Sequence, residues 1–171
     1  MNIRKAEIGN AQQLAHLHIA SLRSAYRTII SEEILNKLDE AKRAAAFEKS
    51  FDMKLGETYV IEENDSVIEF TTFDNCRDDD VDRDENTGEI WGVYISPDHW
   101  RKGYGTKLTY FAERILTSRN KNEIVLWVLE DNFEARAFYE KIGYTLEGRA
   151  KILERLNNVR AVRYIKRFPI K

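Results

Sequence analysis

The chain has 171 residues, with 27 Lys and Arg against 29 Asp and Glu for a formal charge of -2, and 43% of it is hydrophobic. That length fits a single domain over residues 1–171, and the balanced charge presents no global basic surface for nucleic acid. A lone cysteine, Cys76, excludes an internal disulfide and a multi-cysteine zinc site, and no run comes near the roughly 20 apolar residues of a membrane span, so a cytoplasmic protein is expected.

Asn2 to Ile8 alternates weakly and reads as a short strand, closed by Gly9-Asn10 with Asn10 as a helix N-cap. Ala11, Leu14, Ala15, His18, Leu22 and Ala25 then recur at three- and four-residue spacing, the mark of one buried helical face. Ser31-Glu32-Glu33 starts a second helix, and Ala44, Phe47 and Phe51 belong to a third. From Thr58 the period becomes two: Thr58 to Glu62 and Val67 to Phe73 pair around Asn64-Asp65-Ser66. A polar, acidic loop follows, and then a strand from Gly88 that ends at Pro97. Gly105 to Ser118 is helical, Glu123 to Leu129 is a continuous apolar strand suited to a sheet centre, and a short helix through Phe138 and Tyr139 stops at Gly143. Tyr144 to Ile152 and Val159 to Phe168 form a last antiparallel pair. The order is mixed α/β.

The segment WRKGYGT, Trp100 to Thr106, carries the most information. A strand ends, Arg101, Lys102, Gly103 and Gly105 make a short turn, and a helix begins at once. Such a turn leaves backbone N–H groups unpaired at the positive end of a helix dipole, which suits a phosphate. The same glycines would equally serve a tight turn with no ligand. Neither the GxxxxGK[ST] loop nor the GxGxxG fingerprint is present. Downstream, Asn132 sits where the apolar strand passes into a helix, placed either to cap that helix or to bond a ligand. Tyr139 lies two turns further, roughly 10 Å along the helix; at that spacing a core role is the ordinary one.

Together these segments resemble the GNAT superfamily of acetyl-CoA-dependent N-acetyltransferases. WRKGYG is similar to its pyrophosphate-binding motif, and Asn132, Ala135, Phe138, Tyr139, Gly143 and Tyr144 match its later N-x-x-A-x-x-F-Y-x-x-x-G-[F/Y] motif. EIWGVYISP resembles its fourth strand, and HLHIASLRSAYRTIISEEIL its acceptor-side helices. The resemblance implies a mixed, mostly antiparallel sheet of six to seven strands, flanked by four to five helices and splayed between the fourth and fifth strands. It departs at Trp100, at Leu22 and at Glu69, where a small residue is usual.

The resemblance further implies direct acetyl transfer from acetyl-CoA to a primary amine of a small molecule or protein, with no metal. Backbone at Val93, Tyr94 and Ile95 would bond the pantetheine amides. Trp100, Arg101, Lys102, Gly103, Tyr104, Gly105 and Thr106 would hold the pyrophosphate, and Asn132 the pantetheine arm. Tyr139 would act as general acid, and Glu89 as base unless an ordered water does so. A homodimer is implied too. The alternative function is a non-catalytic acyl-CoA-binding sensor. Other features read as plain surface. Asp78, Asp80, Asp82 and Asp84 alternate as in a calcium loop, but Arg83 stands where glycine is needed. The loop reads as solvated, or as a lure for a cationic acceptor. His16 and His18 face different ways, His99 is expected to be exposed, and Arg160, Arg163, Lys166, Arg167 and Lys171 form a strand's solvent face.

Overall fold

The computed structural model describes residues 2–78 and 85–169. Asp80, Asp82, Arg83 and Asp84 of the acidic loop, and Lys171, lie outside the described residues. Among the described residues, seven strands form one sheet: β1 (Ile3–Lys5), β2 (Glu57–Glu63), β3 (Ser66–Asn75), β4 (Thr87–Ile95), β5 (Glu123–Leu129), β6 (Thr145–Leu153) and β7 (Val159–Arg167). They run in the order β1-β2-β3-β4-β5-β7-β6, antiparallel except for β4 and β5. Five helices of the described residues flank the sheet: α1 (Ala11–Tyr26), α2 (Glu32–Asn36), α3 (Glu40–Asp52), α4 (Tyr104–Ser118) and α5 (Phe133–Lys141).

Alternation along the strands sorts the helices onto two faces. On β5, Leu126 and Val128 pack with Ala112 and Leu116 of α4 and with Ile142 just past α5, whereas Leu129 turns the other way onto Leu35 of α2. On β3, Phe73 joins the α4 side and Phe70 meets Leu14, Ala44 and Phe47 of α1 and α3. Side chains close the helix starts: Asp39 Oδ1 accepts from the Lys42 N–H at 3.0 Å, and Asn132 Oδ1 from the Ala135 N–H at 3.2 Å. Gly143, at φ +97°, stops α5. The β2–β3 turn uses Asn64 and Asp65, both at positive φ.

Two features position the site. The β4–β5 ladder spans only Thr87↔Glu123, Gly88↔Ile124 and Glu89↔Val125, so β4 leaves its neighbour after Glu89. Strand β4 also carries an extra residue, Trp91, opposite the Thr72–Phe73 step of β3.

The structure differs from the sequence reading in two places here. The first strand is only three residues long, because Ile8–Asn10 coil into a 3-10 turn. The basic carboxyl-terminal strand is not simply a solvent face. Arg163 is 4% exposed and pairs with Asp78 and Glu147, and Lys166 lies 2.9 Å from both carboxylate oxygens of Glu113.

Candidate active site

The glycine turn begins where β4 ends. Ser96 donates its N–H to Ile68, and a 3-10 turn over Pro97–His99 redirects the chain. The Trp100 indole then donates to the Ile95 carbonyl at 2.9 Å, fastening the turn to the strand end. Arg101 and Gly103 both take the left-handed conformation, at φ +61° and +84°. The two glycines have different reasons. A Cβ on Gly103 would meet nothing within 4 Å, so glycine is required by the backbone angle and leaves open space above it. A Cβ on Gly105 would come within 2.9 Å of Ile95 Cδ1 and 3.5 Å of Phe138, so glycine there lets α4 press against β4 and α5.

Helix α4 follows directly, its first bond running from the Lys107 N–H to the Gly103 carbonyl at 3.3 Å. The N–H groups of Tyr104, Gly105 and Thr106 precede that bond and have no intrahelical acceptor. Lys102 is exposed beside them. Arg101 reaches Glu134 of α5 at 3.1 Å, tying the turn to the helix that Asn132 caps. His99 differs from expectation: its imidazole pairs with Glu63 at 3.0 Å and is largely covered.

Tyr139 faces the core at 8% exposure, with Phe138 and Tyr144 at ring-centroid distances of 5.0 and 5.7 Å. Burial pushes its phenol well above tyrosine's ordinary value, and the nearby Tyr94 adds to the rise. Burial acts on Tyr26 in the same direction, with Tyr94 and Tyr139 contributing. The Tyr94 ring folds back over Gly92, where a Cβ would lie 2.4 Å from it, and packs 4.4 Å from His18. His18 is buried and neutral; burial and the neighbouring Arg43 bring it down to about 3.

Glu89 sits at the other end of β4, six residues before Ile95 and so roughly 20 Å along the strand from the turn. It is 1% exposed, and its carboxylate accepts the Arg77 N–H at 2.9 Å, Nε at 3.2 Å and Nη2 at 2.7 Å. The Arg77 guanidinium also stacks 4.1 Å over Trp91. Asp78, from the acidic loop, accepts from the Trp127 indole at 2.9 Å and pairs with Arg163 and Lys151.

The structure thus gathers the turn, Asn132 and Tyr139 through the contact of α4 with α5, and sets Glu89 apart at the base of the splay. Arg77 and Trp91 went unmarked in the sequence. An arginine at the edge of a carboxylate-rich loop carries no spacing signal, and the extra residue of β4 that seats Trp91 is invisible to a period-two reading. Glu69 stood out only as a departure from the resemblance, a carboxylate where a small residue is usual.

The acetyltransferase (GNAT) family model matches residues 20–144. N-acetyltransferase YuaI of Bacillus subtilis is 26% identical over 132 residues, 77% of this chain and 73% of that protein. PaiA N-acetyltransferase of Thermoplasma acidophilum, solved with coenzyme A, superposes with a TM-score of 0.75 at 21% identity, covering 98% of both chains. Salmonella typhimurium yncA, solved with acetyl-CoA, gives 0.71 at 19% identity over 100% of this chain and 95% of its own. Matching nearly three-quarters of the sequence, from within α1 to Tyr144 three residues beyond α5, the chain belongs to the acetyltransferase (GNAT) family.

Proposed function

We propose that the protein transfers the acetyl group of acetyl-CoA directly to a primary amine of a small molecule or protein. One observation carries the reading: three free N–H groups at the start of α4, open to space above Gly103, at the end of a strand that has parted from its neighbour. The cosubstrate fits this arrangement. The N–H groups of Tyr104, Gly105 and Thr106 hold its diphosphate at the positive end of the helix, with Arg101 and Lys102 adding charge at the rim. The parted edge of β4 from Val93 to Ile95 bonds the amide arm. Trp100 uses only one lone pair of the Ile95 carbonyl, and the Asn132 amide nitrogen is a second donor while its oxygen caps α5.

The thioester supplies the acyl group; the chain supplies position, a proton acceptor and a proton donor. An alkyl amine is almost wholly protonated at neutral pH and must lose a proton to attack. Glu89 is the acceptor, through a water on the lone pair of Oε1 that Arg77 leaves unused. Tyr139 gives its proton to the departing sulfur. The resemblance to the family also supports a cytoplasmic homodimer, which light scattering tests.

The test pairs calorimetry of acetyl-CoA binding with release of free thiol on a panel of amines. Binding with turnover is expected. Binding with no turnover on any amine would favour the sensor, and no binding would end the reading. Gly103→Val is expected to weaken acetyl-CoA binding at least about tenfold, because a β-branched residue resists a left-handed backbone and covers the open side. A folded variant that keeps full affinity would remove the turn from the site. Glu89→Gln should lower kcat/KM for the amine about tenfold without weakening acetyl-CoA. Full activity would assign deprotonation to solvent alone.

A further inference from the structure

Glu69 stands in β3 between Ile68 and Phe70, where β3 carries one residue more than β2. That bulge sends two consecutive side chains to the same face: Ile68 packs with Leu108 of α4, and Glu69 points beneath the first turn of that helix. Its Oε1 lies 3.8 Å from where a Cβ on Gly105 would stand. The residue is 0% exposed, and neither carboxylate oxygen has a hydrogen-bond partner. Its strand neighbours are Ile61 on β2 and Ile95 on β4, and Phe138 of α5 closes the same space, all apolar. Among the described residues, the charged group that acts on it is Lys107, the fourth residue of α4.

We propose that Glu69 is the proton-carrying member of the diphosphate site, so that acetyl-CoA occupies the turn only with Glu69 protonated. The inference rests on the reading that this turn holds the diphosphate. A dry carboxylate with no donor is costly, and among the described residues its ionisation is favoured by Lys107 and the positive end of α4. A diphosphate on the free N–H groups uses that same helix end, and two anions there repel across a medium with little water. Burial already pushes the carboxyl up to about 8, with Lys107 pulling it down. Bound diphosphate raises it further, so the complex holds the proton more tightly than the free protein. Above about pH 8 binding must therefore take up a proton, and affinity falls as pH rises; near neutrality the proton is already in place.

Calorimetry with acetyl-CoA, which has no free thiol to titrate, reads this directly. At pH 8.5, in two buffers of different ionisation enthalpy, the wild type should take up more than half a proton per acetyl-CoA bound, and its affinity at pH 9 should be about tenfold below that at pH 7. Glu69→Gln, which keeps the shape, should take up almost none and bind equally at both pH values. Equal uptake in the variant would place the proton on another group and overturn the proposal. A flat wild-type affinity would overturn it even if the variant failed to fold. Failure of the wild type to bind acetyl-CoA at pH 7 is a separate result, which removes the diphosphate reading itself.

Discussion

Tyr139→Phe is expected to lower kcat about a hundredfold while acetyl-CoA affinity stays within about twofold, a loss of roughly 2.7 kcal/mol in transition-state stabilisation. The substitution removes one hydroxyl and nothing else. The ring keeps its edge-on contacts with Phe138 and Tyr144, so α5 stays where it is and Asn132 still caps it. Burial raises the phenol's pKa, so it stays protonated across the neutral range and no acidic or neutral limb of the rate profile belongs to it. Its function would be felt only as charge develops on sulfur, which separates kcat from binding. Steady-state kinetics with a fixed amine and varied acetyl-CoA decide the matter. If affinity and turnover fell together, Tyr139 would be a packing residue of the cosubstrate site and the proton would come from elsewhere.

Much of this architecture was legible because its signals are local. The apolar run from Ile124 to Leu129 marked the central strand, and the helix starts at Gly103 and Asn132 were visible as turn and capping chemistry. Periodicity could not see across the sheet. The pairing of Glu89 with Arg77 joins residues from two ends of a loop. Arg163 reads as a surface cation until β5 and β6 flank its strand and Asp78 folds over it. The bulges at Trp91 and Ile68 also shift the alternation by one, which a period-two reading does not see: Tyr94, marked by the resemblance only for its backbone, packs its ring against α1, and Glu69 shares the α4 side of the sheet with Ile68. In both cases one inserted residue changed which chemistry faces the site.

The same burial should shape the stability of the whole protein with pH. The Glu69 carboxyl rises from 4.5 to about 8 on folding. Between those values the folded state keeps a proton that the unfolded state has lost, so stability falls as pH rises through the window, by on the order of 5 kcal/mol in total. His18 has the opposite sign. Its value drops from 6.5 to about 3, so the unfolded state binds the extra proton and stability falls as pH drops from 6.5 toward 3, by a similar amount. The two slopes cancel where the windows overlap, giving a plateau from about pH 4.5 to 6.5 with losses on both sides. Glu113, raised by burial, adds a loss as pH rises above its ordinary value, while Glu57 and Glu62, held low by basic partners, and Asp78, held low by the Trp127 indole together with Lys151 and Arg163, add to the acid one. Urea unfolding between pH 4 and 9 should show Glu69→Gln flattening most of the fall from pH 6.5 to 8, and His18→Gln flattening the acid side. Slopes are the quantity to compare, because the amide at position 69 still has no partner and costs about 1–3 kcal/mol at every pH. A wild type whose stability stays level from pH 6.5 to 8 would mean that water or a donor reaches Glu69 in solution, and the carboxyl would then ionise at its ordinary value.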